Sequence, residues 1–247
     1  MANKKNIEHK HVAHKRKMFF NKEQDSHLAE SLRILRTNLH FMEEKKNRIV
    51  IFTSTIPKEG KSTVSANYAM SVAMSGEKVL IVDCDIRRPR AHSSFGIEVN
   101  KGLGEILLEK ESLEDVILKD IEPNLDILPS THLNHNVTEL FLGNRMKNLL
   151  LELRKRYDLI VLDTPPLVIS TDAVILSEYS DGVVYVCGYD MVSKKQLVQS
   201  RKILDRAKAN IYGVVVNKID KDGYSYGNYG YYNYNYKYYD EYSKGEK

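Results

Sequence analysis

The sequence predicts an α/β fold in which a mostly parallel β-sheet is flanked by helices. Short apolar runs alternate along the chain with segments of helical periodicity, and all but one of these runs are continuously hydrophobic. Continuous hydrophobicity indicates strands that are buried on both faces, as in a parallel sheet covered by helices. Such sheets bind ligands beyond the carboxyl ends of their strands. The predicted strands are residues 49–52, 79–82, 125–128, 159–162, 183–186 and 214–216.

Composition places the chain among soluble globular proteins. Hydrophobic residues make up 42% and charged residues 28% of its 247 residues, which excludes the disordered and membrane-spanning classes. No apolar run approaches the roughly 18 residues of a spanning helix, and no signal peptide precedes the first element, so we expect a cytoplasmic protein. We predict a flexible basic arm over residues 1–25, one domain over 26–222 and a separate tail over 223–247.

The first element is a predicted helix over residues 26–46, with Ser26 as a candidate N-cap. Its leucines recur at steps of three and four residues, which gives the helix one apolar face. Glu30, Arg33 and Arg36 are spaced three apart on another part of its surface. By themselves these residues indicate a solvated charged face with a local Glu30–Arg33 pair.

A phosphate-binding loop follows the first strand. Residues 54–63 read STIPKEGKST, and the Gly60-Lys61-Ser62 ending has the P-loop form, although Thr55 stands where the first glycine is usual. Backbone N–H groups at a helix N-terminus bind phosphate oxygens, the lysine neutralises the β- and γ-phosphates, and the serine hydroxyl ligates magnesium. The predicted nucleotide-binding residues here are Lys58, Glu59, Gly60, Lys61, Ser62 and Thr63.

Two further strands end in aspartates. Asp83 and Asp85 close the run LIVDCD, and Asp163 closes LIVLD, which has the form of a Walker B magnesium element. The three carboxylates should meet at one edge of the sheet and surround a magnesium-bound phosphate. The cofactors predicted from these elements are ATP and Mg²⁺, with Ser62, Asp83, Asp85 and Asp163 as the metal ligands. Asn217, in an N-K-x-D sequence after the last strand, is a candidate contact to the base.

The C-terminus is a low-complexity, tyrosine-rich segment that lacks the aliphatic residues needed for a core, so we expect it to be disordered. Ten of the sixteen tyrosines lie in it. A segment that stacks on single-stranded nucleic acid interleaves aromatics with arginine, and this one has no arginine, so we expect no nucleic-acid partner. The tyrosines are candidate phosphate acceptors: Tyr224, Tyr226, Tyr229, Tyr231, Tyr232, Tyr234, Tyr236, Tyr238, Tyr239 and Tyr242.

Together, TSTIPKEGKST, LIVDCDIRRP, LIVLDTPP and the tyrosine cluster resemble the bacterial tyrosine kinases (BY-kinases) of capsule and exopolysaccharide synthesis, in their cytoplasmic form. The resemblance implies a P-loop fold and autophosphorylation. It makes Lys61, Asp83, Asp85 and Arg87 the candidate catalytic residues, with one of the two aspartates orienting or deprotonating the incoming tyrosine. Arg87 and Arg88 would lie close enough to meet phosphoryl charge.

The resemblance also implies partners. Glu30, Arg33 and Arg36 match the family's E-x-x-R-x-x-R motif, which mediates contacts within a ring-like homo-oligomer. Relatives of this form work with the cytoplasmic tail of a separate transmembrane activator, a polysaccharide co-polymerase, and with a protein tyrosine phosphatase. The chain would then be recruited to the inner face of the membrane and regulate polysaccharide synthesis or export.

One position departs from the family pattern, and three other functions stay open. Lys58 stands where the family has glycine, so a positive φ there would strain the loop or weaken catalysis. The main rival is a nucleotide-switch ATPase of the ParA and MinD type, whose signature lysine would replace Ile56. The N-K-x-D sequence allows a GTPase, and Lys58 allows a non-catalytic nucleotide-binding scaffold.

Overall fold

A single seven-stranded sheet forms the centre of the protein, described by a computed structural model for residues 27–42, 48–133 and 136–219. Its strand order is β3-β4-β2-β5-β1-β6-β7. All neighbouring pairs are parallel except β3–β4, so the predicted mostly parallel sheet is confirmed. The strands are β1 (Arg48–Ser54), β2 (Val79–Asp83), β3 (Leu118–Glu122), β4 (Leu125–Leu128), β5 (Leu159–Asp163), β6 (Gly182–Gly188) and β7 (Ile211–Asn217).

The edge strand β3 is not among the strands predicted from the sequence. Its sequence LKDIE is half polar, and its residues are exposed or half-buried. An edge strand that pairs along one side does not need the continuous apolar run that identified the central strands.

Helices cover both faces of the sheet. The long ones are α1, α2, α7 and α9, and shorter ones line the loops that follow β2, β4 and β5. They are α1 (His27–Met42), α2 (Lys61–Ala73), α3 (Ala91–Ser94), α4 (Leu103–Leu107), α5 (Leu113–Val116), α6 (Val137–Leu142), α7 (Asn144–Arg154), α8 (Asp172–Leu176) and α9 (Lys194–Arg206). Within the described ranges, none of these helices combines the length and apolar character that a bilayer span requires.

The core consists of two layers that share the sheet. Alternate residues of β1 point to opposite layers, with Ile49 and Ile51 in one and Val50 and Phe52 in the other. Helices α1, α2 and α3 complete the second layer, and α4 to α9 complete the first. The continuous apolar strands inside the sheet therefore have two buried faces. The prediction is wrong for the edge strand β7, where Val214 and Val216 are exposed.

Helix α1 packs on α2 through its apolar face, where Ala29 and Leu39 are buried. Arg36 turns inward and donates from Nη1 to the Ser71 carbonyl oxygen of α2 at 2.6 Å. Glu30 and Arg33 form the expected local pair at 2.8 Å. The three motif residues thus differ, because Arg36 contributes to packing within the chain.

Several predicted features fall outside the described residues. They include the arm over residues 1–25, the tail over 223–247 with its ten candidate phosphate acceptors, and the ends of the first helix at residue 26 and residues 43–46. The proposed domain boundaries therefore stay predictions.

Candidate nucleotide-binding site

The P-loop connects β1 to the N-terminus of α2. Gly60 caps α2 with φ 92°, and a Cβ there would lie 2.0 Å from Asn217 Nδ2, so both conformation and space require glycine. Lys58 has φ 72° and an exposed side chain. The lysine that replaces the family's glycine therefore does adopt a positive φ, which strains a residue with a Cβ. Thr55 is buried, and its hydroxyl hydrogen-bonds with the hydroxyl of Tyr185.

Glu59 and Asn217 shape this loop from within. The Glu59 side chain is buried, with 1% of the residue exposed, and its carboxylate accepts the N–H of Ile56 at 2.8 Å and that of Gly188 at 3.0 Å. Asn217 Nδ2 donates to the Glu59 carbonyl oxygen at 2.9 Å. Both were expected to bind nucleotide. Their side chains here fix the loop to the carboxyl ends of β6 and β7.

Lys61 forms a buried ion pair at the base of the loop. Its Nζ lies 2.5 Å from Asp163 Oδ1 and donates to Ser62 Oγ at 3.2 Å. Ser65 Oγ, one turn further along α2, donates to the same aspartate oxygen at 3.2 Å. The lysine charge is therefore held at the N-terminus of α2, where the helix dipole also favours phosphate.

Asp83 and Asp163 are register partners on adjacent strands β2 and β5. Asp83 accepts backbone N–H groups from Asp85 at 3.1 Å and from Arg90 and Ala91 at 2.8 Å. Burial and the neighbouring Asp163 charge nevertheless raise the pKa of Asp83 to about 7. Proximity of two buried carboxylates is electrostatically unfavourable, and a cation between them would relieve it.

Asp85 is half-buried, and this burial raises the pKa of its carboxyl group above the ordinary value. Its Oδ1 accepts the N–H of Arg88 at 3.0 Å. A carboxylate of raised pKa near the surface is a stronger proton acceptor than an ordinary aspartate. Asp85 is thus better placed than the fully buried Asp83 to meet an incoming hydroxyl group.

The site has the donors that Mg²⁺ prefers. Asp163 Oδ2 is buried and accepts no hydrogen bond from the described residues. Lys61 Nζ contacts both Asp163 Oδ1 and the Ser62 hydroxyl, so these two groups lie near each other. Across the described ranges, no three His, Cys, Asp or Glu side chains are grouped tightly enough to hold a metal ion, and the metal-binding roles of Asp83, Asp85 and Asp163 stay predictions. Mg²⁺ bound with nucleotide needs one or two carboxylates, because phosphates and waters complete its shell. The residues present fit that requirement.

Arg87 follows β2 and lies beside Asp172 at the start of α8. Its Nε is 3.8 Å from Asp172 Oδ2, and its Nη2 donates to Thr138 Oγ1 at 3.4 Å. Arg88 is exposed. Three residues of this region, Ser65, Thr138 and Asp172, are not among the site residues predicted from the sequence. Helical spacing from Lys61 could have indicated Ser65, whereas no motif marks the other two.

Comparison with known proteins gives a consistent assignment. The profile of the AAA domain family matches residues 17–212. The chain is 37% identical over 205 residues to the tyrosine-protein kinase YwqD of Bacillus subtilis, which covers 82% of this chain and 86% of YwqD. It is also 37% identical over 215 residues to EpsB of Ralstonia nicotianae, where the match spans 87% of this chain and 28% of the length of EpsB.

Among solved structures, a tyrosine kinase domain is more similar to this chain than a MinD protein is. The kinase domain of the Escherichia coli tyrosine kinase Etk superposes with a TM-score of 0.74 and 34% identity, covering 78% of this chain and 76% of that one. The septum site-determining protein MinD of Pyrococcus horikoshii, solved with Mg-ADP, gives a TM-score of 0.59 and 25% identity. The match covers 68% of this chain and 69% of the MinD chain. P-loop geometry, the family profile and these relatives agree, and the chain belongs to the family of bacterial tyrosine-protein kinases.

Proposed function

We propose that this chain is an ATP-dependent protein-tyrosine kinase that phosphorylates the C-terminal tyrosines of neighbouring copies of itself. The observation that carries this proposal is the convergence of Lys61, Asp83 and Asp163 at the carboxyl edge of the sheet, with Asp85 and Arg87 beside them. The P-loop supplies phosphate binding, and the acidic group supplies both metal ligands and a proton acceptor.

The reaction transfers the γ-phosphoryl group of ATP to a tyrosine oxygen. A bond forms between that oxygen and the γ-phosphorus, the bond from the γ-phosphorus to the bridging oxygen breaks, and ADP leaves. The phenolic proton passes to Asp85, because a phenol with a pKa of about 10 needs an acceptor at neutral pH. Lys61 leaves Asp163 to neutralise the phosphates, and Arg87 stabilises the phosphoryl oxygens. Mg²⁺, held by Ser62, Asp163 and the adjacent Asp83, would neutralise phosphate charge and align the transferred group.

Transfer between copies fits the arrangement of α1. Glu30 and Arg33 remain on its surface, whereas Arg36 is engaged with α2, so the first two are the better candidates for contacts in a ring-like oligomer. A tethered tyrosine segment reaches a neighbouring site at high effective concentration. The ring and the tyrosine-rich tail together account for phosphorylation in trans.

The same proposal includes the cellular role. A cytoplasmic tail of a separate transmembrane activator would recruit the chain to the inner membrane face, and a protein tyrosine phosphatase would reverse the modification. The output would be control of capsular or extracellular polysaccharide synthesis or export. These partners rest on the family resemblance.

The proposal is tested with purified protein, Mg²⁺ and γ-labelled ATP, with and without the activator tail. Phosphotyrosine is mapped by mass spectrometry, and Lys61→Met and a chain ending at Asp222 are the controls. Label on the tyrosines between Tyr224 and Tyr242 that requires Lys61 supports the kinase.

A nucleotide-switch ATPase is the second candidate, and the structural likeness to MinD favours it. Two results together would establish that function instead. The chain would hydrolyse ATP without forming phosphotyrosine under every condition, and it would dimerise only when nucleotide is bound.

A further inference from the structure

Three polar side chains form a small cluster beside the nucleotide site. Arg87 comes from the segment after β2, Thr138 from α6 and Asp172 from the start of α8. The Thr138 hydroxyl donates to Asp172 Oδ1 at 3.3 Å and accepts from Arg87 Nη2 at 3.4 Å. Thr138 therefore bridges the arginine and the aspartate, whose closest charged atoms are 3.8 Å apart.

The aspartate of the cluster is buried, and the hydrogen bonding of the pair is incomplete. The Asp172 side chain is 1% exposed, and its Oδ2 accepts no hydrogen bond from the described residues. Arg87 Nε is equally buried and donates none within the same ranges. An aspartate this deeply buried requires a counter-charge, because an isolated carboxylate is strongly destabilised away from water. Arg87 supplies that charge.

Arg87 nevertheless retains the means to bind a further anion. Its side chain is 38% exposed, and its described hydrogen bond is the long one to Thr138. A guanidinium has five N–H donors in a planar fork, which suits two oxygens of a phosphoryl group. A fully satisfied structural arginine would have no such capacity.

Arg87 and Asp172 lie on the segments that follow the two aspartate-bearing strands. Asp83 and Asp163 are adjacent on β2 and β5. Four residues after Asp83 comes Arg87, and nine residues after Asp163 comes Asp172. Strands β2 and β5 are paired in the sheet, and the Arg87–Asp172 pair also links the segments that follow them. A guanidinium fixed in this way is preorganised, which is what electrostatic stabilisation of a transition state requires.

We propose that Asp172 is a positioning residue that, with Thr138, fixes the Arg87 guanidinium at the carboxyl edge for the developing charge of the transferred phosphoryl group. This inference rests on the proposed kinase function and adds two residues that no motif identifies. Asp172 acts through Arg87 and touches neither the nucleotide-binding loop nor the metal ligands in the described contacts.

A double-mutant cycle on the full-length chain tests the proposal. Asp172→Asn, Arg87→Ala and the double variant are compared by initial phosphotyrosine rate against ATP concentration, with Tm recorded for each. Asp172→Asn is expected to lower kcat about tenfold, with the KM for ATP changed less than about twofold, because the interaction matters in the transition state. In the Arg87→Ala background the same change should lower kcat no further.

The control is Asp181→Asn, which breaks a comparable pair with Arg154 Nη1, 2.9 Å away, at the amino ends of the strands. It should lower Tm and leave kcat unchanged. Thr138→Val removes the bridging hydroxyl while keeping both charges, and it replaces Asp172→Asn if that variant does not fold. A kcat effect that persists in full without Arg87, or a loss of Tm with normal kcat, would overturn the proposal.

Failure of the kinase function and failure of the positioning role give different results. If the wild-type chain hydrolyses ATP and forms no phosphotyrosine, the kinase function fails, and the same cycle is then read on the hydrolysis rate. Non-additive loss of hydrolysis would support the positioning role of Asp172, and additive loss would exclude it.

Discussion

Lys58 is a strained residue within the P-loop. Lysine at φ 72° is in the left-handed region, which for a residue with a Cβ costs about 1–2 kcal/mol. Its side chain is exposed, and the loop is instead fixed by Glu59 and Asn217. The strain is thus tolerated because neighbouring side chains determine the loop conformation.

Lys58→Gly should raise the free energy of unfolding by about 1 kcal/mol, since relief of the left-handed strain exceeds the added freedom of the unfolded chain. Denaturant unfolding monitored by circular dichroism measures this. Lys58→Ala is the matched control, because it removes the charge and keeps the Cβ strain. Equal stabilisation by alanine and glycine would show that charge, not φ, is responsible.

Asp83 makes the stability of the nucleotide-free protein depend on pH. Its pKa is raised from 3.8 to about 7, so in this interval the folded state binds more protons than the unfolded state. Stability contributed by protonated Asp83 is therefore complete below pH 3.8 and is lost as pH rises to about 7.

Relative to wild type, Asp83→Asn should gain on the order of 4 kcal/mol of stability as pH rises through this interval, because asparagine carries no charge beside Asp163. Urea unfolding in a metal chelator, without nucleotide, at several pH values measures the difference. Asp158→Asn, at the amino end of β5 and away from Asp163, is the control. A difference between Asp83→Asn and wild type that does not vary with pH would contradict the assignment.

At the scale of elements, the P-loop is joined to β6 through a buried carboxylate. Glu59 accepts N–H groups from both Ile56 and Gly188, and Asn217 at the end of β7 holds its carbonyl oxygen. These bonds connect the loop to two strands that the sequence places more than 120 residues away. The loop conformation is thus a property of the sheet edge as much as of the loop sequence.

Glu59→Gln should lower the free energy of unfolding by about 2–3 kcal/mol, because the amide group of glutamine cannot accept both buried N–H donors and a charged acceptor is lost. The KM for ATP should rise as the loop loosens. The exposed Glu98→Gln should change stability by less than about 0.5 kcal/mol. Unchanged stability and KM in Glu59→Gln would remove Glu59 from the loop's support.

At the scale of the whole molecule, the proposed kinase needs two copies, one to supply the site and one to supply the tyrosine. Full-length Lys61→Met has acceptors and lacks the phosphate-binding lysine, whereas a chain ending at Asp222 has the site and lacks the acceptors. Mixed together with Mg²⁺ and labelled ATP, they should label the Lys61→Met chain alone, and neither should be labelled by itself. No label in the mixture, with wild type active, would indicate transfer within one chain.

Phosphorylation should also change the assembly. Each modified tyrosine adds about two negative charges, so the tails repel one another and the acidic site. We expect the oligomer mass, measured by light scattering, to fall as phosphotyrosine accumulates. A fully phosphorylated chain that keeps its oligomer mass would exclude this mechanism.

The parallel sheet and the residues at its carboxyl edge follow from the order of amino acids alone. Continuous apolar runs identify the central strands, which are buried on both faces, although the run in the edge strand β7 is half exposed. Asp83 and Asp163 end two of these strands, and Gly60 and Lys61 lie in the loop after β1, so local order in the chain was sufficient. Other features depend on contacts between residues far apart in the chain and are visible only in the folded protein. The edge strand β3, the inward turn of Arg36, the loop support by Glu59 and the Arg87–Thr138–Asp172 cluster all arise from pairings across the fold. No local pattern records such pairings, because side chains far apart in sequence meet through packing of the sheet and its helices.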